Sequence, residues 1–529
     1  MRHHFCRKRY SSDMGRVKQT EKNIFFGMIG NFMILVVGLI QRKIFISVLG
    51  ETLLGIDGLY TDILGILSLA ELGIGAALNF SLYKPVASGD REKIKAYMLF
   101  YKKAYRAIAC SVAIIGLALT PFLPYIINEE KRGDISVINL TIYYIVFLFN
   151  TVSTYFVAYK YSLANAEQKN YIQTNILTIT KIVTACVQIA VLWITENFLL
   201  YLLTKAAVEL IQKIFVSFYF NRLYPYLLDK DVEKLEKEET DAITRKSKAQ
   251  MLHKIGDAAR LSTDSIIISS MINIESVGLV NNYNVMINYA STFVNIIFDS
   301  AISSFGNLVA TESKEKQYRL FKVYRFFACW IYGFAAVGFW LLLTPFITGL
   351  YLDKSWELGA VILTLILIDF YLKGSRVVLF NFKTAAGVFE QDKYLAFIQG
   401  IVNLVISIIG VKWIGLAGVY VGTVVSGIIA NLIRPVIIYR DCFARSVRGY
   451  FIDSLKYICA ILGITALLIP VKSMVLAQVN ILTFVLMALI VTAVYNLLFL
   501  VLFRKTAEFD YLWSLVSGKL PFLNRFSRK

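Results

Sequence analysis

Four basic residues interrupt long apolar runs of this sequence, and their chemistry is the most informative feature of the chain. They are Arg42, Lys181, Lys205 and Arg376. A charged side chain near the centre of a lipid bilayer costs about 2.5 to 3.5 kcal/mol, so such residues face a protein interior or water rather than lipid. We therefore expect these four side chains to line a cationic cavity between helices.

Polar residues also recur at helical spacing inside two of the apolar runs, which places each set on one helix face. The first set is Ser68, Glu71, Gly75 and Asn79, and the second is Asn284, Asn288, Ser291, Asn295 and Asp299. Polar cavity walls have this pattern, but so do helix interfaces that pack through small and amide residues. Both interpretations are open from the sequence.

An acidic residue, Asp264, lies about halfway along another apolar run and is a functional candidate by its position. A salt bridge to Arg42 is the alternative. The polar candidates for the cavity wall or for ion coupling are thus Glu71, Asn79, Asp264, Asn288, Asn295 and Asp299. By contrast, Asp369 and Lys373 are four residues apart with the acid first, and we expect a structural ion pair there.

Neither metal binding nor covalent catalysis is indicated. The 6 cysteines are scattered without a CxxC pair, and two of the 3 histidines, His3 and His4, lie in the N-terminal tail. We predict no catalytic residue, no metal site and no enzymatic activity.

The elements that carry these residues are transmembrane helices. The chain has 529 residues, of which 57% are hydrophobic and 17% charged, and its mean hydropathy is +0.61. A hydrocarbon layer of about 30 Å needs roughly 20 helical residues to cross it. We predict an all-α integral membrane protein of about fourteen helices, at 24–49, 58–83, 97–127, 136–159, 172–194, 198–221, 252–274, 278–310, 321–350, 358–381, 394–411, 414–439, 452–470 and 479–503.

The net charge of +19 is divided among many short loops, which argues against nucleic-acid binding. With alternating spans, most Lys and Arg fall on the side of the N-terminus. The positive-inside rule then places both termini in the cytoplasm.

The chain partly repeats itself at an offset of about 220 residues. Matched segments include Tyr105-Arg106 with Tyr324-Arg325, Thr120-Pro121-Phe122 with Thr344-Pro345-Phe346, and Lys160 with Lys383. Each copy has an even number of spans, which predicts two parallel-related six-helix lobes with substrate between them. The predicted domains are a cytoplasmic basic tail at 1–23, an N-lobe at 24–222, a cytoplasmic linker at 223–250, a C-lobe at 251–440, two extra helices at 451–503 and a cytoplasmic tail at 504–529.

Three stretches carry a family resemblance: GLYTDILGILSLAELGIGAALNFSLYKPVASGDREKIKAY, HKIG followed by TDSIIIS, and WIGLAGVYVGTVVS. They resemble Wzx-type polysaccharide flippases of Gram-positive bacteria, in the multidrug, oligosaccharidyl-lipid and polysaccharide exporter superfamily. The resemblance covers most of the chain. It implies that undecaprenyl-pyrophosphate-linked oligosaccharide repeat units move from the inner to the outer leaflet by alternating access, for capsule or exopolysaccharide synthesis.

The resemblance also implies roles and partners. Arg42, Lys181 and Arg376 are expected to contact the pyrophosphate, with Lys205 as a further cavity cation. No cofactor is expected, and coupling is to a Na⁺ gradient, a H⁺ gradient or the membrane potential. The expected partners are the lipid-linked oligosaccharide, membrane lipids, and a polysaccharide polymerase with other assembly proteins, in the bacterial cytoplasmic membrane.

Two other transporter classes fit the helical pattern. A multidrug cation antiporter of the same superfamily would want acids and aromatics in its cavity, and the buried cations argue against it. A major-facilitator-like solute carrier also has parallel six-helix halves, but the loop LYKPVASGDREK lacks the GxxxDRxGRR-type turn. A membrane-embedded enzyme would need an extramembrane domain or catalytic loop that the sequence does not indicate.

Overall fold

The computed structural model of the chain is helical throughout its regular structure, with no strand among the residues that it describes. These are residues 2–68, 81–127, 135–167, 169–229, 232–241, 243–244, 263–299, 308–309, 312–386, 388, 391 and 394–519, with side chains described outside 2–28, 297, 299, 385 and 515–519.

Contacts between residues divide the chain into two compact units, Met1–Gly278 and Leu279–Lys529. The first unit contains α1 (Arg2–Leu67), α2 (Arg91–Leu119), α3 (Val137–Ala166), α4 (Asn170–Thr195), α5 (Phe198–Leu223) and α6 (Thr263–Met271). Helix α7 (Ile274–Asp299) begins in the first unit, and the second unit then contains α8 (Lys314–Pro345), α9 (Ala360–Ser375), α10 (Val377–Ala386), α11 (Leu395–Ile414), α12 (Leu416–Ile438), α13 (Arg448–Val475), α14 (Ile481–Phe503) and α15 (Ala507–Lys519). The division lies beyond the linker predicted at 223–250, and the predicted domain boundaries stay a prediction.

Every predicted span contains helix over its described part, and 9 helices in that part are long and apolar enough to cross a membrane. The all-α membrane fold is therefore confirmed, and the chain is a multi-pass membrane protein. Helix boundaries extend beyond the apolar runs where polar caps stabilise them. For example, α2 begins at Arg91 because Asp90 accepts a hydrogen bond from the Lys93 backbone N–H at 3.0 Å.

The first helix is interrupted at Gly50, where φ is +77° and the helical geometry breaks. Glycine reaches this left-handed region without the steric cost that a β-carbon adds. The sequence predicted a second span starting at residue 58, whereas helix resumes directly after Gly50. Asp57 consequently lies on a helix rather than in the predicted loop, and Asp62 lies further along the same helix.

Both copies of the matched Thr-Pro-Phe triplet distort a helix. In the first unit Thr120–Phe122 forms a 3₁₀ turn after α2, and in the second unit a π-helix over Phe346–Tyr351 follows Pro345. Proline lacks the N–H that would continue the regular hydrogen-bond ladder.

The motif WIGLAGVYVGTVVS packs two helices of the second unit together. A β-carbon on Gly418 would lie 2.0 Å from the Gly410 carbonyl carbon, so only glycine permits this approach of α11 and α12. Buried polar side chains also bond across the interface: Asn403 Nδ2 donates to Thr423 Oγ1 at 2.9 Å and Ser407 Oγ to the Val419 carbonyl at 3.0 Å. The resemblance motif is therefore a packing element.

The C-terminal helices pack against α8 through a large aromatic core. Phe326 of α8 contacts Tyr457 of α13 and Phe499 of α14, with ring centroids 6.0 and 5.7 Å apart. These helices, which have no partner in the sequence repeat, thus cover one side of the second unit.

Candidate substrate-binding residues

Three helices of the first unit are tied together by amide and hydroxyl groups. Gln41 Nε2 donates to Gln188 Oε1 at 2.7 Å and to the Tyr201 hydroxyl at 2.9 Å, and Gln188 Nε2 donates to the Tyr201 carbonyl at 2.9 Å. Buried polar groups need such partners, so this network fixes α1, α4 and α5 at one level.

Two of the four predicted cations meet beside this network. Arg42 follows Gln41, and both Arg42 and Lys205 interact electrostatically with the buried carboxylate of Asp57. Asp57 reaches them from the part of α1 beyond Gly50. Two of the predicted cations thus lie within electrostatic range of one carboxylate.

Lys205 also lines a cavity of about 250 Å³ inside the first unit, together with Ser68, Asn150, Thr151, Thr154, Tyr155 and Glu209. Its Nζ lies 5.7 Å from the centroid of the Phe147 ring, within cation-π range. Ser68 is the first residue of the polar stripe predicted in the second span. The cation and this end of the stripe therefore share one cavity.

Lys181 is exposed on α4 and is not part of the cluster around Asp57. It shares a helix face with Gln188, seven residues and about 10 Å away along the axis. Thr178, one turn before Lys181, packs against Gly30 of α1. Lys181 is accordingly accessible but separate from Arg42 and Lys205.

Arg376 lies at the junction of α9 and α10, where only 6% of its surface is exposed. Its Nη1 donates to the Gly427 carbonyl of α12 at 3.1 Å. This contact joins two helices of the second unit. Nearby, the predicted ion pair between Asp369 and Lys373 is present, and that prediction is confirmed.

The polar candidates have diverse surroundings. Asp264 is half-buried in the first turn of α6, and the adjacent Ser265 hydroxyl donates to Asp62. In the second unit Asn288 is exposed, whereas Asn295 accepts a hydrogen bond from the Tyr332 hydroxyl.

The side chains of the remaining polar candidates lie outside the described part of the structure. Glu71 and Asn79 lie outside the described residues, and Asp299 ends α7 with a side chain that is not described.

Sequence reasoning missed Asp57 and Asp62. Both stand in the segment GETLLGIDGLYTD, which was divided between a loop and the start of a span. Their spacing to Leu64 and later apolar residues is helical, but a single sequence does not show where the helix resumes after Gly50. The paired Gly55 and Gly58 around them made a loop the natural interpretation.

Comparison with known proteins agrees with the helical membrane architecture. The lipid II flippase MurJ, in an inward closed conformation, aligns with a TM-score of 0.65 at 15% identity, covering 91% of this chain and 99% of MurJ. An inward-facing multidrug resistance MATE family transporter of the MOP superfamily aligns with a TM-score of 0.62 at 16% identity, covering 79% of this chain and 98% of the other. A mutant of the Vibrio cholerae MATE transporter VcmN gives 0.57 at 15% identity, covering 82% and 100%. At these identities the likeness establishes the fold alone.

No curated protein matches the chain in sequence. A family model described as polysaccharide biosynthesis protein, however, matches residues 21–303, which is more than half of the chain. That match spans the first four of the apolar helices and continues to the end of α7, and it confirms the resemblance found in the sequence motifs. The chain therefore belongs to the polysaccharide biosynthesis protein family.

Proposed function

We propose that this chain is a flippase that moves undecaprenyl-pyrophosphate-linked oligosaccharide repeat units from the inner to the outer leaflet of the bacterial cytoplasmic membrane. The product would feed capsule or exopolysaccharide assembly. Membership of the polysaccharide biosynthesis protein family carries this proposal.

The extent of the structural likeness supports a lipid-linked substrate over a drug. The lipid II flippase covers 91% of this chain, whereas the MATE transporter named first covers 79%. A multidrug antiporter remains the second candidate because its fold is also similar.

The charges of the first unit suit a pyrophosphate. Arg42 can present its forked donors to phosphate oxygens, and Lys205 adds a point charge beside it. Asp57 holds both cations in place when no anion is bound, and a pyrophosphate would compete with it. In this proposal Lys181 and Arg376 are further headgroup contacts, although the burial of Arg376 makes it the weaker candidate.

The other roles follow from the same proposal. Glu71, Asn79, Asp264, Asn288, Asn295 and Asp299 would bind sugar hydroxyls or couple transport to Na⁺, H⁺ or the membrane potential. The protein would act without a cofactor or catalytic step, by alternating access, with both termini in the cytoplasm and with a polymerase and other assembly proteins as neighbours.

Complementation tests this function. The chain is expressed in a strain that lacks its own repeat-unit flippase, and surface polysaccharide and accumulated lipid-linked precursor are measured. Rescue of the first with a fall in the second is expected. Precursor that stays in the inner leaflet for every glycan tested would contradict the proposal, and drug resistance without rescue would favour the antiporter.

A matched pair of variants ties the result to the cation cluster. Lys205→Ala should lose most of the rescue, whereas Lys103→Ala, an exposed lysine on α2, should keep it at equal membrane abundance. Equal rescue by both variants would remove Lys205 from the substrate path while leaving the flippase function itself intact.

A further inference from the structure

A second and larger cavity lies within the first unit, at the ends of α2, α3 and α5 that are predicted to face the cytoplasm. Its volume is about 580 Å³, which is within the range of small-ligand sites. The segment that follows α5, from the 3₁₀ turn Pro225–Leu228 to Val232, contributes part of its wall. None of the residues predicted to contact substrate lines this cavity.

Four cations line the cavity. Lys95, Lys102 and Arg106 are seven and four residues apart on α2 and share one helix face, and Lys160 reaches the cavity from α3. Asp229 is the single carboxylate among the described lining residues.

The carboxylates at this site neutralise only one of the cations. Lys95 Nζ lies 2.7 Å from Asp229 Oδ2 and 2.8 Å from Glu92 Oε1. Among the described residues, no carboxylate forms an ion pair with Lys102 or Arg106.

Lys160 is likewise held by neutral groups. It is 9% exposed, and its Nζ donates to the Ser217 carbonyl, the Ser217 hydroxyl and Asn221 Oδ1 at 3.1, 3.0 and 2.8 Å. Lys102 and Lys160 are close enough to repel each other electrostatically. Like charges gathered in a partly buried space favour a bound anion, because the attraction of an anion to each cation offsets the repulsion between the cations.

The depth of the cavity identifies the kind of anion. The apolar run of α2 starts at Ala107, directly after Arg106, and its exposed residues Ile114 and Ile115 have the character of a lipid-facing surface. Lys102 and Arg106 therefore lie at the level where lipid headgroups meet the hydrocarbon layer. Phe156, which is exposed beside the cavity, offers an apolar surface for an acyl chain.

The matched position in the second unit shows which protein groups accept hydrogen bonds from a buried arginine. Arg325, the repeat partner of Arg106, donates to the Tyr450 carbonyl at 2.7 Å and to Ser454 Oγ at 2.5 Å, and it lies 3.5 Å from the Tyr450 ring centroid. Those acceptors come from α13, which has no counterpart in the first unit. Arg106 remains exposed to an open cavity instead.

We propose that this cavity binds the phosphoryl headgroup of a membrane lipid, with Lys102 and Arg106 as its direct contacts and with the charge of Lys160 as a further attraction. Arginine and lysine are the usual ligands of phosphate oxygens in proteins. The phosphoryl group comes either from an anionic phospholipid or from a polyprenyl pyrophosphate. The site does not depend on the flippase function, since either lipid would occupy it without being transported.

The test measures lipid binding by native mass spectrometry on the full chain, purified and held in neutral lipid nanodiscs. The probes are dioctanoyl phosphatidylglycerol, a polyprenyl pyrophosphate and inorganic pyrophosphate, with uncharged dioctanoylglycerol as the reference. Lys102→Gln combined with Arg106→Gln should weaken binding of the phosphoryl probes about tenfold or more, because each charge-assisted contact contributes strongly. Lys103→Gln, an exposed neighbour that does not line the cavity, should bind like the unaltered chain.

A third variant separates loss of the site from loss of folding. Asp229→Asn removes the lining carboxylate that competes for Lys95, so it should tighten binding of the same probes. An unfolded or distorted chain would not bind more tightly.

The probes also distinguish the two possible sources of the phosphoryl group. Preference for phosphatidylglycerol assigns the site to a membrane phospholipid, and preference for the polyprenyl pyrophosphate assigns it to a lipid-linked precursor. Equal binding by the double variant and the unaltered chain, or phosphoryl binding no stronger than that of dioctanoylglycerol, overturns the proposal. Failure of complementation with intact binding would contradict the flippase function alone.

Discussion

Arg106 and Arg325 occupy matched positions of the two units but have opposite surroundings. Arg106 is exposed beside an open cavity of about 580 Å³, whereas Arg325 is 3% exposed and is enclosed by Tyr450 and Ser454. The same residue type in two copies of one sequence pattern thus has two environments. What packs against it decides which environment it has.

The appended helices account for the difference. Helices α13 and α14 cover α8 in the second unit, and Glu508 of α15 pairs with Lys322 at 2.5 Å. In the first unit the matched Arg106 lines a cavity instead. Arg325 thus contributes to helix packing, whereas the proposal above gives Arg106 a ligand.

The largest expected effect is on Arg325. Arg325→Ala should lower the free energy of unfolding by about 3 kcal/mol, because it removes two charge-assisted hydrogen bonds and a stacked guanidinium from a buried site. Arg106→Ala should change it by no more than about 0.5 kcal/mol, as is usual for an exposed side chain. Denaturant unfolding of both variants in detergent measures the difference, and similar losses would break the comparison.

A smaller effect is expected at Arg376, with Arg42 of the first unit for comparison. Arg376→Ala should destabilise the chain by about 2 kcal/mol and reduce its abundance in the membrane, since it empties a buried position and removes the hydrogen bond that joins Arg376 to the Gly427 carbonyl of α12. Arg42→Ala should leave abundance normal and reduce transport. Immunodetection of the membrane fraction, combined with the complementation assay, separates the two results.

The opposite outcome at Arg376 would be equally informative. Normal abundance with lost transport would assign Arg376 to the substrate path, as the sequence predicted. The cations of the second unit would then not be limited to packing.

The smallest effect concerns two ion pairs made with segments outside the main helix bundle. Glu508→Gln should lower the free energy of unfolding by about 1 kcal/mol, because the side chains of Glu508 and its partner Lys322 are only 12% and 32% exposed. Glu239→Gln breaks the pair with Lys93, whose side chains are 27% and 41% exposed, and should cost less than the change at Glu508. Raising the salt concentration should abolish the second effect and leave most of the first. Equal salt dependence of the two would show that the pair at Glu508 is as solvated as the pair at Glu239.

Local sequence features predicted the helices and some of their contacts. The apolar runs located the membrane helices because a segment in lipid must satisfy its backbone hydrogen bonds internally, which is a property of the segment itself. The Asp369–Lys373 pair was predictable for the same reason, since residues four apart on one helix are neighbours whatever the rest of the chain does. The three resemblance motifs were sufficient to predict the family, which the family match confirms.

Contacts between distant helices were not predictable. Asp57 was overlooked, although it joins Arg42 and Lys205, because its place depends on how the chain turns at Gly50. Arg376 was grouped with the cavity cations because it interrupts an apolar run, but that position does not distinguish a cavity wall from a helix interface.

For this protein, the sequence alone determined the membrane-spanning helices, the internal repeat and the family, since hydropathy and short motifs depend only on residues that are neighbours in the chain. Which cations meet a carbonyl, a carboxylate or an open cavity was decided only by the tertiary structure. Arg106 and Arg325 differ in this respect because the covering helix α13 lies more than a hundred residues from Arg325 in the chain. Packing over such separations depends on the whole unit. The repeat makes the two arginines equivalent in sequence, but the helices that follow it are not part of the repeat.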